Sequence, residues 1–520
     1  MSNIHPANRN FTTTISWRKN NFVNLLVLAF FGISFIGILN HEMWRDELQA
    51  WLIARDSSSI INLFENLRYE GHPGLWHLGL YIITRFTGNP FWMQIYHLII
   101  ATSIVYVFVR FSPFTKLQKI MFSFGYFTFY EYSIISRNYA IGILLLFTFC
   151  ALFTRCNRNY ILLTSILALM ANTNIYGTMI AIAIGATLVF EIIVEGNINS
   201  ILANKRKEIV ISIVIFLTGI GGAIIQVLPP PDRRHGVDWH TTLDIERLTE
   251  TANNVLKGYL LALGYTPLST NWGFTLFTCF LLITIAVILV SRDKKSLFLY
   301  IVGTCFILLF SYTKYLGAIR HHGNLFMLLI ACLWISSNRN KEYDILKTKN
   351  VFKNKTIDLI KHHRRRLISL LMCVHLAIGV PFFIRDLIYP FSASKATASY
   401  IAQDHRLNKL IIVGYSMQTS VPIAGLLNRE IYYPQKNSFG SFVVWKNNIR
   451  GMTTKEILAQ VGELNRRHNQ SILLIMNSPL DEEEIKAIKP SLRIFKEAEF
   501  TESIDEYEKY HLYVVSAPSE

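Results

Sequence analysis

The chain has 520 residues, of which 51% are hydrophobic and only 17% are charged. Its mean hydropathy of +0.31 is high for a soluble protein and modest for a pure membrane bundle. The composition therefore indicates a polytopic membrane protein with a sizeable water-soluble part. The six cysteines lie in or beside apolar segments without CxxC spacing, which argues against a disulfide framework and a structural zinc site. The net charge of +16 is compatible with nucleic acid or an anionic membrane surface.

Apolar segments long enough to cross a bilayer recur along the first three quarters of the chain, since a spanning helix needs roughly 20 apolar residues. We predict about eleven transmembrane helices, at 22–40, 91–111, 118–135, 138–154, 159–175, 177–195, 208–228, 272–291, 297–313, 317–337 and 367–385. The first segment is longer than a signal-peptide core and is predicted to be a retained span. The segments 75–87 and 258–268 are apolar but short, so they are expected to be re-entrant or interfacial.

Lys and Arg residues predict the orientation of these spans, because cytoplasmic loops are enriched in positive charge. With residues 1–21 in the cytoplasm, every clear basic cluster beside a span falls on the inner side. These clusters are Lys116 with Lys119, Arg155 with Arg158, 205–207, 292–295 and 364–366. This bias accounts for the net charge and makes nucleic acid the weaker interpretation. The predicted transmembrane domain is 22–385, with outer loops 41–90 and 229–257, followed by an outer domain at 386–520.

The C-terminal region has the pattern of a small α/β domain. Four short apolar runs, at 409–414, 429–434, 441–445 and 471–477, read as buried strands, and "YHLYVVS" near the end reads as a last one. The segment 453–468 reads as an amphipathic helix with a threonine cap. Strands alternating with helices favour an extracytoplasmic α/β domain.

The first outer loop begins with "NHEMWRDELQAWLIARD" (40–56), where charged residues follow directly after a span. In a helix over 42–55, Trp44, Leu48 and Trp51 share one face, which we expect to lie on the membrane surface, while Asp46 and Glu47 turn towards the protein. A second amphipathic helix is predicted within 57–71. A solvated helix face would explain the carboxylates, but ionisable groups beside lipid tend to mark function.

The order of motifs resembles the GT-C superfamily of membrane glycosyltransferases, in particular the branch of protein-O-mannosyltransferases and lipid A aminoarabinose transferases. The motifs are an outer-loop "DE" (46–47), "HPGL" (72–75), "SRNYAIGILLLF" (136–147) and "YLGAIRHHGNLFMLLIAC" (315–332). Gly74 replaces the second proline of the family's "HPPL", and His321 and His322 replace the usual aromatic residue of the last motif. The resemblance covers roughly residues 20–390.

The resemblance implies transfer of a sugar from a polyprenyl-phosphate donor to a hydroxyl of a lipid, glycan or protein on the outer face. A positioned carboxylate suits the removal of the acceptor's proton, and Asp46 is the candidate base of an inverting, single-displacement reaction. Arg137 and Arg320 are candidates for holding the carrier phosphate, since a guanidinium grips phosphate with two donors. Glu47 is a candidate for orienting donor, acceptor or a divalent cation. No other cofactor is predicted.

Further candidate substrate-binding residues are His72, His321, Arg233 and Arg234. The structural alternatives are a helix cap for His72, an interface anchor for Arg137 and Arg320, and a solvated basic loop for Arg233 and Arg234. Adjacent histidines point in different directions on a helix, so His321 and His322 do not predict a metal site.

Two other classes of function stay open. A transporter or flippase of a lipid-linked saccharide would carry polar residues in mid-span. A non-catalytic assembly protein would bind through its outer domain. A polymerase or ligase of surface polysaccharide is a rival within the enzyme class. The cysteine-free outer domain favours a bacterial inner membrane as the location.

Overall fold

The computed structural model describes residues 21–154, 158–194, 198–233, 238–261, 263–337, 359, 362–481 and 492–517. Up to residue 388 the described residues are mostly helical. The helices are α1 (Asn21–Asn40), α2 (Arg45–Asp56), α3 (Ile60–Leu67), α4 (Leu75–Thr84), α5 (Phe91–Phe111), α6 (Lys116–Ser123), α7 (Tyr139–Phe153), α8 (Tyr160–Ala171), α9 (Ile175–Val194), α10 (Ile198–Val227), α11 (Ile245–Tyr259), α12 (Trp272–Val290), α13 (Lys294–Thr313), α14 (Ile319–Ser337) and α15 (Arg364–Ile388).

Seven of the described helices are long and apolar enough to cross a membrane: α1, α5, α9, α10, α12, α13 and α15. Each coincides with a predicted span. Of the other four predictions, α7 and α8 are apolar helices of fewer than 18 residues, and α14 is a long helix that opens with polar residues. The short segment predicted at 75–87 is helix α4. The hydroxyl of Thr84, the last residue of this helix, donates a hydrogen bond to a backbone carbonyl of α2.

The segment predicted as a single span at 118–135 is divided. Helix α6 ends at Ser123, a π-helical turn follows at Phe127–Glu131, and the chain then runs irregularly to Asn138. Irregular backbone is tolerated at membrane depth where it is buried in protein, and residues 126–136 are buried. The prediction of one continuous helix was wrong here because apolar composition does not distinguish a lipid-facing helix from a buried loop.

Among its described residues, the C-terminal domain contains three α-helices and a six-stranded mixed sheet. Its helices are α16 (Ser394–Gln403), α17 (Met417–Leu427) and α18 (Thr454–His468), and its strands are β1 (Ile411–Gly414), β2 (Ile431–Tyr433), β3 (Ser438–Gly440), β4 (Ile472–Met476), β5 (Arg493–Phe500) and β6 (Tyr510–Ser516). The strand order is β3-β2-β1-β4-β6-β5, with β1 parallel to β2 and β4. The α/β prediction is confirmed.

Two details of that domain differ from the sequence prediction. The third strand lies at 438–440 rather than at 441–445, and β5 was not predicted. Strand β5 is an edge strand with the sequence "RIFKEAEF", and charged side chains are common on edge strands, where they discourage further strand pairing. Its charges conceal the apolar alternation that identifies the inner strands.

The sheet separates two hydrophobic cores, because successive side chains of a strand point to opposite faces. Along β4, Ile472 and Leu474 pack with α18, whereas Leu473 and Ile475 belong to the large core that continues into the helical bundle. The C-terminal domain therefore shares a core with the helices that precede it.

Helix α2 lies in the interior between α4 and α17. Leu48, Trp51 and Leu52 are fully buried, and a Cβ placed on Gly425 of α17 would be 3.4 Å from the side chains of Leu48 and Leu52. The expectation that this helix rests on a membrane surface was wrong, since protein covers the face predicted to meet lipid. Helix α3 follows as predicted, with Ser59 as its cap.

Candidate active site

Asp46 forms ion pairs with two arginines that are distant in sequence. Its Oδ2 lies 2.9 Å from Nη1 of Arg137 and 2.9 Å from Nη2 of Arg320. The Asp46 side chain is 27% exposed. No hydrogen bond to Oδ1 of Asp46 is present among the described residues, so one carboxylate oxygen is free to meet a ligand.

Helix N-termini bring these residues together. Asp46 lies in the first turn of α2 and Arg320 in the first turn of α14, while Arg137 and His72 come just before α7 and α4. The N-terminal end of a helix carries a partial positive charge. The arginines and helix ends together create an environment that favours anionic groups.

Burial opposes the ionisation of Asp46, but the charges of Arg137 and Arg320 outweigh it and hold the pKa of its carboxyl below the usual value. For His72, burial and the same two arginines lower the pKa to about 3. The imidazole of His72 is therefore neutral near pH 7. Its Nδ1 is buried without a hydrogen-bond partner in the described part of the chain, which leaves a polar atom available beside the arginines.

Glu47 points away from Asp46 into a fully buried network. Its Oε1 accepts the Ser136 backbone N–H at 2.6 Å, and its Oε2 lies 3.0 Å from Nε2 of His41. The other ring nitrogen of His41 lies 2.7 Å from Oδ2 of Asp386, near the end of α15. Burial disfavours the charged imidazole, yet the carboxylates of Asp386 and Glu47 raise the pKa of His41 well above its ordinary value. His41 is thus an imidazolium held between two carboxylates.

This network sets the position of Arg137. Glu47 satisfies the Ser136 N–H immediately before Arg137 and also accepts the Trp44 N–H at the start of α2. A glutamate at the third position of a helix commonly accepts the N–H of the cap residue. One carboxylate therefore connects the segment that carries Asp46 to the segment that carries Arg137.

His321 lies one residue beyond Arg320 but does not reach Asp46. Its Nδ1 accepts the Ala318 N–H at 2.6 Å, so its Nε2 carries the hydrogen and donates to the Tyr139 hydroxyl at 2.7 Å. The ring stacks on Tyr176, with 5.2 Å between centroids. The structure thus places His321 in an aromatic enclosure behind the ion pairs.

Arg233 lies near the site, and its neighbour Arg234 falls outside the described residues. A Cβ placed on Gly71 would be 3.6 Å from both terminal nitrogens of Arg233, which puts its guanidinium beside the loop that carries His72. The preceding Asp232 accepts the Tyr69 hydroxyl at 2.9 Å and, through its carbonyl, the Asn447 N–H at 2.7 Å.

The C-terminal domain closes over the start of α2. Glu508 accepts the Arg45 N–H at 2.8 Å, and Asp505 lies 3.1 Å from Nη1 of Arg45. Gln49 donates to the Val443 carbonyl at 2.6 Å and to Glu70 at 2.9 Å. Burial raises the pKa of Glu70, although its hydrogen bond from Gln49 opposes this.

Sequence reasoning missed several residues of this arrangement, namely His41, Glu70, Asp386 and Glu508. A polar residue at the end of a span was the available signal for His41 and Asp386, but nothing local pairs two residues 345 positions apart. Across the described ranges, no group of three or more His, Cys, Asp or Glu side chains is arranged to hold a metal ion.

Comparison with known proteins finds a likeness at the level of the fold. No family model and no curated protein match the sequence. Among solved structures, the crystal structure of ArnT from Cupriavidus metallidurans bound to undecaprenyl phosphate is similar, with a TM-score of 0.54 and 10% identity. The likeness covers 96% of this chain and 98% of that one, so it includes the C-terminal domain. The chain is an integral membrane protein with the overall fold of that ArnT structure.

Proposed function

We propose that this protein transfers a sugar from a polyprenyl-phosphate donor to a hydroxyl group of an acceptor. The observation that carries the proposal is the pairing of Asp46 with Arg137 and Arg320, in a fold shared with a protein that binds undecaprenyl phosphate. A partly exposed carboxylate between two cations combines a proton acceptor with a site for an anionic leaving group.

The arginines serve the donor. Negative charge builds on the carrier phosphate as the bond to the sugar breaks, and preorganised cations stabilise that charge without reorganising. Arg137 and Arg320 can each offer two N–H donors to phosphate. His72 and Arg233 lie beside them and extend the set of donors available to the phosphate or to the sugar. His321 acts indirectly, since it holds Tyr139 next to His72.

Asp46 serves the acceptor. Its lowered pKa keeps it ionised, and its free Oδ1 can accept the proton of the attacking hydroxyl. When a phosphate engages the arginines, their ion pairs with Asp46 weaken and the carboxylate becomes a stronger base. Attack on the face opposite the phosphate inverts the anomeric carbon in one displacement and requires no covalent intermediate.

Glu47 has a positioning role in this proposal. Both of its oxygens are occupied by protein groups, and its side chain is fully buried. It acts on the reaction through Ser136 and Arg137. A divalent cation near Glu47 stays a prediction. Measuring activity across a titration with EDTA tests it.

The proposed setting is a bacterial inner membrane, with the site and the domain 386–520 on the outer face. Arg292 and the arginines 364–366 meet at the end of α14 opposite to Arg320 and Asp46, and by the positive-inside rule a basic end of this kind faces the cytoplasm. The proposed acceptor is a hydroxyl group of a lipid, a glycan or a protein.

A transporter of lipid-linked saccharides is the alternative from another class. Glu191 near the end of α9 is a buried charge in a span, and it pairs with Arg158 and Lys295. These partners lie at the ends of helices, which favours a local structural role over a polar pathway through the bilayer.

The decisive experiment measures release of free polyprenyl phosphate by mass spectrometry. Purified full-length protein in nanodiscs is given a panel of polyprenyl-phosphate sugars and a membrane extract as acceptor source. We compare wild type with Asp46→Asn and with Glu42→Gln, a nearby carboxylate that faces a separate cavity also lined by Lys395. Loss of a general base typically lowers the rate about 10²–10⁴-fold, so Asp46→Asn should abolish measurable release and Glu42→Gln should retain it.

Equal release by wild type and a folded Asp46→Asn variant would remove Asp46 from the mechanism while keeping the enzyme. Absence of release from any donor by wild type, together with passage of a lipid-linked saccharide across a proteoliposome membrane, would favour the transporter instead.

A further inference from the structure

A second site lies at the opposite end of the helical bundle. The end of α14 meets the start of α15, where Arg364 donates to the Ser336 hydroxyl at 2.7 Å, and Gln118 of α6 donates to the Arg365 carbonyl at 3.2 Å. Between these helix ends is a cavity of about 600 Å³. It shares no residue with the site around Asp46.

The cavity is lined by a concentration of positive charge. Arg292, Arg364, Arg365 and Arg366 all contribute to its wall, with two histidines beside them. No acidic residue is among the described residues that line it. The N-terminus of α15 adds the partial positive charge of its unpaired N–H groups. Four like charges around one cavity repel one another, so an anion bound between them would be stabilised by all four.

Arg364 is built into the wall rather than extended into solvent. The residue is only 8% exposed. Although one terminal nitrogen donates to Ser336, its Nε is buried and has no hydrogen-bond partner among the described residues. An unpaired buried polar group is costly, so a ligand that accepts a hydrogen bond from this Nε would stabilise the protein.

The remaining wall is apolar and lies at the level where the helices end. Pro113, Phe114 and Ile368 line the cavity beside the arginines, and α5, α14 and α15 all begin or end next to it. A cavity with cationic and apolar walls at the boundary of a membrane domain fits a molecule that has an anionic head and a hydrocarbon tail.

We propose that this cavity binds the phosphate head group of an anionic membrane lipid. Basic pockets between transmembrane helices are suited to lipid phosphates. The positive-inside tendency explains basic residues beside spans, but it requires neither a cavity nor a buried arginine with an open donor. Arg364 would hold the phosphate from the wall, and the exposed Arg292, Arg365 and Arg366 would surround it.

The test is lipid binding by native mass spectrometry on the full-length protein in detergent. The protein is titrated with tetraoleoyl cardiolipin, dioleoyl phosphatidylglycerol, dioleoyl phosphatidylcholine and inorganic phosphate. The variant combines Arg292→Gln, Arg365→Gln and Arg366→Gln, which leaves buried Arg364 intact for folding. The matched control is Arg206→Gln, an exposed arginine that does not line the cavity.

We expect cardiolipin and phosphatidylglycerol to bind wild type and the control alike, and to bind the triple variant about 100-fold more weakly, since each arginine near an anionic lipid contributes roughly a factor of five. Phosphatidylcholine should bind weakly throughout. Equal binding of anionic lipid by the triple variant would overturn the proposal. If inorganic phosphate binds through the same arginines and displaces no lipid, the ligand of the cavity is free phosphate, and the proposal of a lipid head group is rejected.

Discussion

Two adjacent carboxylates, Asp46 and Glu47, receive opposite environments from the fold. Asp46 is partly exposed and faces two guanidinium groups, whereas Glu47 is fully buried and is held by backbone N–H groups and an imidazolium. A carboxylate that is accessible and ionised can take a proton from a ligand. One whose oxygens are already occupied can only orient its neighbours. The division of roles that we propose therefore follows from which side of α2 each residue occupies.

Replacing Arg137 with Gln should move the acidic limb of the activity profile to higher pH. One of the two charges that hold Asp46 ionised is lost, while burial continues to favour its protonated form, so its pKa rises. A single nearby opposite charge shifts a carboxyl pKa by about 1–3 units. The base form is lost as pH falls through the pKa, so the limb should appear about 1–3 units higher. The measurement is kcat/KM for polyprenyl phosphate release from pH 4 to 9.

Arg137→Lys is the matched control, because it retains the positive charge and loses the bidentate geometry. It should lower the rate while keeping the acidic limb close to that of wild type. An unchanged limb in Arg137→Gln would show that this arginine does not control the ionisation of Asp46.

At the scale of elements, one histidine connects three helices. His41 follows the last turn of α1, contacts Glu47 in α2 and contacts Asp386 near the end of α15. Because both partners are carboxylates, the protonated ring is the form that binds them best. Helices α1 and α15 are thus joined at the level of the candidate site by a buried ion triad.

Stability should decrease with rising pH because of His41. Its pKa is raised in the folded state, so its stabilising contribution is complete below the ordinary histidine pKa of about 6.5 and is lost as pH rises through the folded value. His41→Gln should be less stable by about 3 kcal/mol at pH 6, as expected when one partner of a buried ion pair is removed, and should show a flatter dependence on pH. Thermal unfolding in detergent measures both effects.

The control for that experiment is His468→Gln, which changes an exposed histidine at the end of α18. It should unfold like wild type at every pH. A pH dependence in His41→Gln as steep as that of wild type would assign the effect to other groups.

At the scale of the whole molecule, the C-terminal domain completes the site. It covers α2 through α17, binds the Arg45 N–H through Glu508 and pairs with Gln49 through the backbone of Val443. Asp46 is adjacent to Arg45, so this docking determines where the proposed base lies. The domain therefore forms part of the candidate site and is more than a tethered accessory.

Substitution of Glu508 tests this docking. Burial raises the pKa of Glu508 to about 8, so at pH 7 its side chain is mostly protonated, and Glu508→Gln preserves both its shape and its neutral charge. Glu508→Ala removes the acceptor of the Arg45 N–H and leaves a cavity. We expect Glu508→Gln to resemble wild type and Glu508→Ala to lose about 2–4 kcal/mol of stability together with polyprenyl phosphate release. Similar behaviour of the two variants at pH 7 would contradict this account.

The sequence by itself determined the features that depend on local composition. Apolar length identified seven spans, because burial of a run of roughly 20 apolar residues in lipid needs no partner segment. The Ser59 cap and the strand pattern of β4 are likewise properties of a few consecutive residues. The resemblance in motif order directed attention to Asp46, Arg137 and Arg320 as separate candidates.

Only the tertiary structure decided how those candidates combine. Arg320 reaches Asp46 across 274 positions of sequence, and His41 joins Glu47 to Asp386. The tertiary structure also placed α2 in the interior and divided the 118–135 segment into a helix, a π-helical turn and irregular chain. Ion pairing and burial depend on which helices pack together, and that packing is the sum of many distant contacts, whereas hydropathy and capping are set by neighbours along the chain.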